Sequence, residues 1–197
     1  MPATFAHIVQ DGDRIAVYPA FRSIEVPPEH RLRPPVSEHR FVADVHLGRL
    51  ASYLRVLGFD TVYRIEAGDA ELAHIASTEA RILLTRDRGL LKRAEVMYGY
   101  FVRESAPWMQ LAEVVRRYDL AGKAKPFTRC LVCNALLKAV AKDAVADRLE
   151  PKRRLCFEEF RECPSCRRIY WGGSHWERMR RLVEQVVAQG RDEMNRA

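Results

Sequence analysis

The sequence predicts an α/β protein: a mainly parallel sheet, then a small cysteine-bearing module and a terminal helix. Three observations carry this. Between residues 40 and 120, short apolar runs alternate with stretches of helical periodicity, the order that builds a parallel sheet. Acidic residues stand just past the ends of these runs. All five cysteines (130, 133, 156, 163 and 166) lie beyond residue 129.

The elements follow in order. Residues 1–37 read poorly as a domain. Asp11-Gly12-Asp13 is a turn signal, Arg14 to Tyr18 a short strand ended by Pro19, and Pro27-Pro28 and Pro34-Pro35 mark a linker. Phe41-Val-Ala43 is a strand ending at Asp44. Leu47, Leu50, Ala51, Leu54 and Leu57 recur at helical spacing, and Gly58 stops the helix. Phe59 to Tyr63 reads as a second strand. Asp69 is placed to cap a helix carrying Leu72, Ile75 and Ala76. Arg81 to Thr85 is a strand followed at once by Asp87, and Leu90-Leu91 suggests a helical turn. Tyr100 to Arg103 is a further strand. Pro107 opens a helix with Leu111, Val114, Val115 and Tyr118 on one face. Ser174 and Glu177 form a capping box before a terminal helix of about four turns.

The chain has 197 residues and a net charge of +7. Residues 1–120 hold 16 Lys/Arg against 16 Asp/Glu, whereas 121–197 hold 17 against 10. A basic module beside a neutral one suits a polyanionic partner, and equally a surface kept soluble. No apolar run approaches the ~18 residues that span a bilayer, and no signal peptide is visible. A cytoplasmic protein without membrane contact is expected.

Cys130-Leu-Val-Cys133 and Cys163-Pro-Ser-Cys166 are two C-x₂-C pairs separated by 29 residues. Such pairs let four thiolates close on one tetrahedral Zn²⁺ with no open position, which makes the metal structural. The spacer exceeds the usual 15–20 residues, so it holds an inserted element. Cys156 is expected to be a spare buried thiol. Arg167, Arg168, Tyr170, Trp171 and Trp176 mix cations with rings, a surface that grips phosphates and stacks unpaired bases. At least one tryptophan is expected in the core.

Asp44 and Asp87 sit just past strand ends, which is the ligand edge of an open α/β sheet. Asp69 enters the helix after the second strand, and Glu104 follows the fourth. Carboxylates gathered at one edge repel unless a cation neutralises them, and hard oxygen ligands suit Mg²⁺ or Mn²⁺. Such a site can hydrolyse phosphodiesters. Taken singly, Asp69 also reads as a cap, Asp87 as a turn residue and Glu104 as a solvated acid. Arg49, Arg55 and Arg86 are candidates to hold a substrate phosphate, or pair with surface carboxylates.

These residues carry a resemblance. Asp44-Val-His-Leu-Gly-Arg-Leu-Ala-Ser-Tyr-Leu-Arg-Val-Leu-Gly-Phe-Asp60, Asp69-Ala-Glu-Leu72, Arg81 to Asp87, Gln110-Leu111, Phe127-Thr-Arg-Cys130, Cys163 to Cys166 and Gly173-Ser-His-Trp176 occur in order. Together they resemble the PIN-like ribonuclease domain with a zinc ribbon, named after the C-terminal region of the mutator-seven exonuclease. The resemblance implies a Rossmannoid parallel sheet with helices on both faces, a zinc ribbon and metal-dependent ribonuclease activity. Asp44, Asp69 and Asp87 match its acidic positions. Many PIN domains carry another acid close after the third one, whereas here Arg88 stands beside Asp87. Gln10 to Pro19 resembles the last strand of a β-grasp domain, without a carrier's Gly-Gly tail. The expected organisation is 1–37 as remnant and linker, 38–122 as nuclease domain, and 123–197 as zinc ribbon with terminal helix. The expected function is RNA hydrolysis at Asp44, Asp69, Asp87 and Glu104, with RNA held by the ribbon through Arg167 and Arg168. A non-catalytic RNA-binding adaptor and a DNA or flap nuclease are the alternatives.

Overall fold

The computed structural model describes residues 8, 10, 11 and 38–194. The strand expected over 14–18 and the proline-rich linker lie outside them. Internal contacts divide the chain into Met1–Glu38 and His39–Ala197, and the described elements belong to the second unit.

Four strands form one parallel sheet in the order β2-β1-β3-β4: β1 Phe41–Ala43, β2 Thr61–Tyr63, β3 Ile82–Thr85 and β4 Gly99–Phe101. The two central strands are buried along their whole length. This is why they read as unbroken apolar runs rather than alternating ones. Register pairs Val42 with Leu83. Both join one core with Leu72, Ala73, Ile75 and Ala76 of α2 (Asp69–Thr78) and Leu90 of α3 (Arg88–Leu91). Phe41 points to the opposite face, because side chains alternate along a strand. There it meets the rings of Phe59 and Tyr118 edge-on. Helix α1 (Gly48–Val56) packs against α4 (Pro107–Tyr118), which carries Tyr118. Helices therefore cover both faces, as expected.

Several boundaries move. The strands expected at 59–63, 81–85 and 100–103 lie at Thr61–Tyr63, Ile82–Thr85 and Gly99–Phe101, although single backbone bonds extend the pairing to Asp60 and Val102. Gly68 is the N-cap of α2, and Asp69 is its first, exposed residue, so Asp69 does not cap the helix. Gly58 ends α1 as expected, with φ +91°. A Cβ there would lie 2.1 Å from the carbonyl oxygen of Lys125. The chain from Lys125 to Phe127 crosses here and bonds back to Leu57 and Val56.

Beyond residue 123, β5 (Lys138–Val140), β6 (Phe160–Glu162) and β7 (Ile169–Trp171) form an antiparallel sheet. The long spacer holds β5, α5 (Lys142–Val145), α6 (Pro151–Cys156) and β6. Helix α7 runs over Ser174–Met194, 21 residues rather than the four turns expected, and packs on α4. Two further expectations fail. Cys156 is exposed rather than buried. Trp108 is half exposed, and Trp171 and Trp176 are only partly covered, so the core contains no tryptophan. Among the ribbon's aromatic residues, Phe160 takes the core position, at 2% exposure. No described helix is long and apolar enough to cross a membrane.

Candidate functional site

The strand order reverses between β1 and β3: the chain winds from β1 outward to β2, then returns past β1 to β3. At such a switch point a crevice opens beyond the carboxyl ends of the two strands. Asp44 follows β1 and Asp87 lies two residues past β3. Asp44 is buried, at 4% exposure. Its Oδ2 accepts a 2.6 Å hydrogen bond from the Thr85 hydroxyl. The same Oγ1 accepts from the Asp87 amide at 2.9 Å. Thr85 thus ties both acids to the end of β3. Asp87 remains exposed, and its Oδ1 accepts from the Gly89 amide at 2.6 Å, capping α3. Asp69 follows β2 and Glu104 follows β4. In the order of the strands that precede them the acids read 69, 44, 87, 104, with Asp69 six residues beyond β2.

The loop carrying Glu104 is held by three side chains. Glu113 of α4, 5% exposed, accepts from the amides of Arg103 and Glu104 and from the Tyr100 hydroxyl. Gln110 donates to the carbonyls of Glu104 and Ser105. Arg86 donates to the carbonyls of Val102, Arg103 and Glu104. Arg86, expected on substrate, is thus engaged as a strap between β3 and the β4–α4 loop. Arg49 is exposed on α1.

Arg55 corrects an expectation. It is buried at 4% exposure, and its guanidinium donates to the carbonyls of Thr61, Leu131 and Val132. A guanidinium so enclosed has no face for a substrate. It fastens α1 and β2 to the first cysteine pair. Asn134, just past that pair with φ +70°, accepts from the Thr61 amide and donates to Asp60 at 2.7 Å. Burial works against charge on Asp60. Its bonds from Arg81 and Asn134, with the nearby Arg129, nevertheless hold the carboxyl below the ordinary carboxylate range.

The thiols converge. Among the described residues, Cys130, Cys133, Cys163 and Cys166 are the one set of three or more His, Cys, Asp or Glu whose ligand atoms all lie within 4.8 Å of one another. The Cys130–Cys166 and Cys133–Cys163 sulfurs lie 3.5 and 3.3 Å apart. Tetrahedral Zn²⁺ with Zn–S near ~2.3 Å needs edges of about 3.8 Å, so a small expansion admits the ion. The two knuckles fold alike. The amides of Asn134 and Arg167 bond the carbonyls of Cys130 and Cys163, and both residues have positive φ. Burial opposes charge on Cys130, but the Cys133 amide, the Tyr170 hydroxyl and the Val132 amide bring its thiol down to about 6. Burial and the neighbouring thiols push Cys166 up to about 12. The set can hold a structural zinc. Nearby, Arg167 pairs with Glu162 at 3.1 Å, and Arg168 is exposed.

The chain matches the family model described as the Mut7-C RNAse domain over residues 39–183. It belongs to that family. The Mut7-C match spans the sheet, the acidic edge and both cysteine pairs. A Mut7-C RNAse domain points to nuclease chemistry on nucleic acid, and a polyanionic substrate suits the basic C-terminal part. No curated protein and no solved structure matches the chain. Within the Mut7-C domain, Thr85, Glu113, Asp60 and Asn134 escaped the sequence reading. A threonine closing the apolar run Ile82-Leu-Leu, and an asparagine directly after a C-x₂-C pair, were the available signals.

Proposed function

We propose that this chain is a metal-dependent ribonuclease. Asp44, Asp69 and Asp87 would hold Mg²⁺ or Mn²⁺, with Glu104 assisting, and the zinc ribbon would hold RNA. The observation that carries this reading is the tie through Thr85, which holds the Asp44 carboxylate and the Asp87 backbone at the switch point of the sheet. Their hard oxygen donors fit Mg²⁺ or Mn²⁺. The acids do not draw together as tightly as the thiols do among the described residues.

When bound, such an ion lowers the pKa of water and stabilises charge on the leaving oxygen. The chain's residues do the remainder. Thr85 donates to Asp44 and so orients that carboxylate. Glu113 and Gln110 fix the backbone around Glu104. Arg49 meets the substrate phosphate, and Arg167 and Arg168 meet the RNA farther along. Reduced thiols in a structural site suit a cytoplasmic setting.

A second reading, an RNA-binding adaptor, draws on the helix cap made by Asp87. Cleavage decides between them. Purified wild type with Mn²⁺ is expected to cut single-stranded or structured RNA in preference to matching DNA. Asp44→Asn and Asp87→Asn should each lower the rate by at least about 100-fold, the scale of losing one group that acts on transition-state charge. RNA binding without cleavage by any of the three proteins would establish the adaptor. Cleavage of DNA alone would establish the DNA nuclease.

A further inference from the structure

Between the ribbon sheet, α6 and the start of α7 lies a cavity of about 470 Å³. Phe157, Tyr170, Trp171 and Trp176 line it, with Lys152 and Arg153 of α6 alongside. A second recess of about 290 Å³ is lined by the same four rings, so they stand as a partition between two hollows. The rings are braced. Phe127, at φ +61°, stacks on Trp176 with centroids 3.7 Å apart and planes 23° from parallel. The Arg153 guanidinium sits 4.5 Å above the Trp171 ring. Gly173 leaves room for that ring, since a Cβ there would approach Trp171 Nε1 to 3.0 Å. All four rings are only partly covered, while Phe160 fills the ribbon core. The ribbon thus presents more aromatic surface than its own packing uses.

The charge around this surface points to the occupant. The excess of cations in the chain lies beyond residue 120, and Lys152, Arg153 and Arg154 are consecutive on α6. Rings that offer faces beside cations match a planar base linked to phosphates. The volume falls within the ~300–1,000 Å³ of ligand pockets and admits a base with its ribose. We propose that this recess takes one unpaired nucleobase of single-stranded RNA, stacked against Trp171 and Trp176. Lys152 and Arg153 would face its phosphates. The proposal rests on the reading of RNA as substrate, and deepens it: the ribbon selects unpaired segments. Paired bases cannot enter, because their faces are covered by their neighbours.

Trp108 lies on α4, outside the cavity, so in the full chain carrying Trp108→Phe the indole emission reports on Trp171 and Trp176. This protein is titrated with a single-stranded RNA of about 12 nucleotides and with the duplex of the same sequence, without Mg²⁺ or Mn²⁺. The single strand should quench the emission and bind more tightly than the duplex. Trp171→Leu should lower single-strand affinity by about 5- to 150-fold, the range for one stacked base, and leave duplex affinity unchanged. Should Trp171→Leu lose its zinc, Arg153→Gln removes the cation that stacks over Trp171 and pairs with Glu150, and should lower single-strand affinity by about 2- to 5-fold. Absence of quenching, or equal losses for strand and duplex, would overturn the pocket. Cleavage does not enter this measurement. A chain that cleaves RNA without quenching refutes the pocket and spares the nuclease. Quenching in a chain that never cleaves does the reverse.

Discussion

Single residues fix the distances on which this molecule depends. Gly58 must be glycine for two separate reasons, its positive φ and the Lys125 carbonyl lying where a Cβ would stand. Gly58→Ala should cost at least about 2 kcal/mol, since strain in the left-handed region alone is of order 1–3 kcal/mol and the clash adds to it. Urea denaturation of the zinc-loaded chain measures this, and a loss below about 0.5 kcal/mol would show that the crossing strand moves aside. Thr85 acts at the same scale. One hydroxyl donates to Asp44 and accepts from Asp87, so a single side chain sets the relation of two acids. The sequence marked both acids, because each follows an apolar strand. It did not mark the threonine, which reads as the ordinary β-branched end of a strand.

At the scale of elements, the sheet edge is built from strand ends and the loops that leave them. The apolar runs and their order were legible, and the structure bears out a parallel sheet clothed on both faces. The arginines were not. Arg86 stands beside Asp87 in the sequence and Arg55 on the helix that follows Asp44, yet their guanidinium groups serve backbone carbonyls. Periodicity places a residue on a face and says nothing of which long side chain turns back to the backbone. The β4–α4 loop yields a test. Glu113→Gln keeps the side chain's shape but sets an NH₂ group against amides that need an acceptor. Leaving such groups unsatisfied costs about 1–3 kcal/mol. Hydrogen exchange at the Arg103 and Glu104 amides should quicken by about 5- to 150-fold, the same figure written as a ratio. Exchange as slow as in wild type would mean that the loop is held without Glu113.

For the molecule as a whole, the ribbon and the sheet depend on each other. The spacing of the cysteines was legible and the four sulfurs do converge. The anchorage of the first pair on α1 and β2 was not, because its partners lie more than 70 residues apart in the chain. Zinc uptake tests the thiol set. With Cys163 and Cys166 both held above the ordinary thiol range, they are protonated near neutrality and must lose their protons to bind the ion. Calorimetry of the metal-free chain in buffers of different ionisation enthalpy should show at least two protons released per zinc. Affinity should accordingly rise with pH through the neutral range. Release of fewer than one proton would rule out a Cys₄ site. Cys166→Ser should lose the zinc and also loosen Thr61, through Asn134 and Arg55.

The bonds at Thr61 have one more consequence. Strand β2 lies at the margin of its sheet, and such a strand offers its outward amide and carbonyl to any passing chain. Here the amide is taken by Asn134 and the carbonyl by Arg55. Asn134 is synthesised long after β2, so a nascent chain carries an unguarded margin until the first cysteine knuckle has emerged and docked. The knuckle thus covers the margin of the sheet as well as supplying two of the four thiols that can hold a metal, and a chain whose knuckle cannot dock is expected to self-associate more readily.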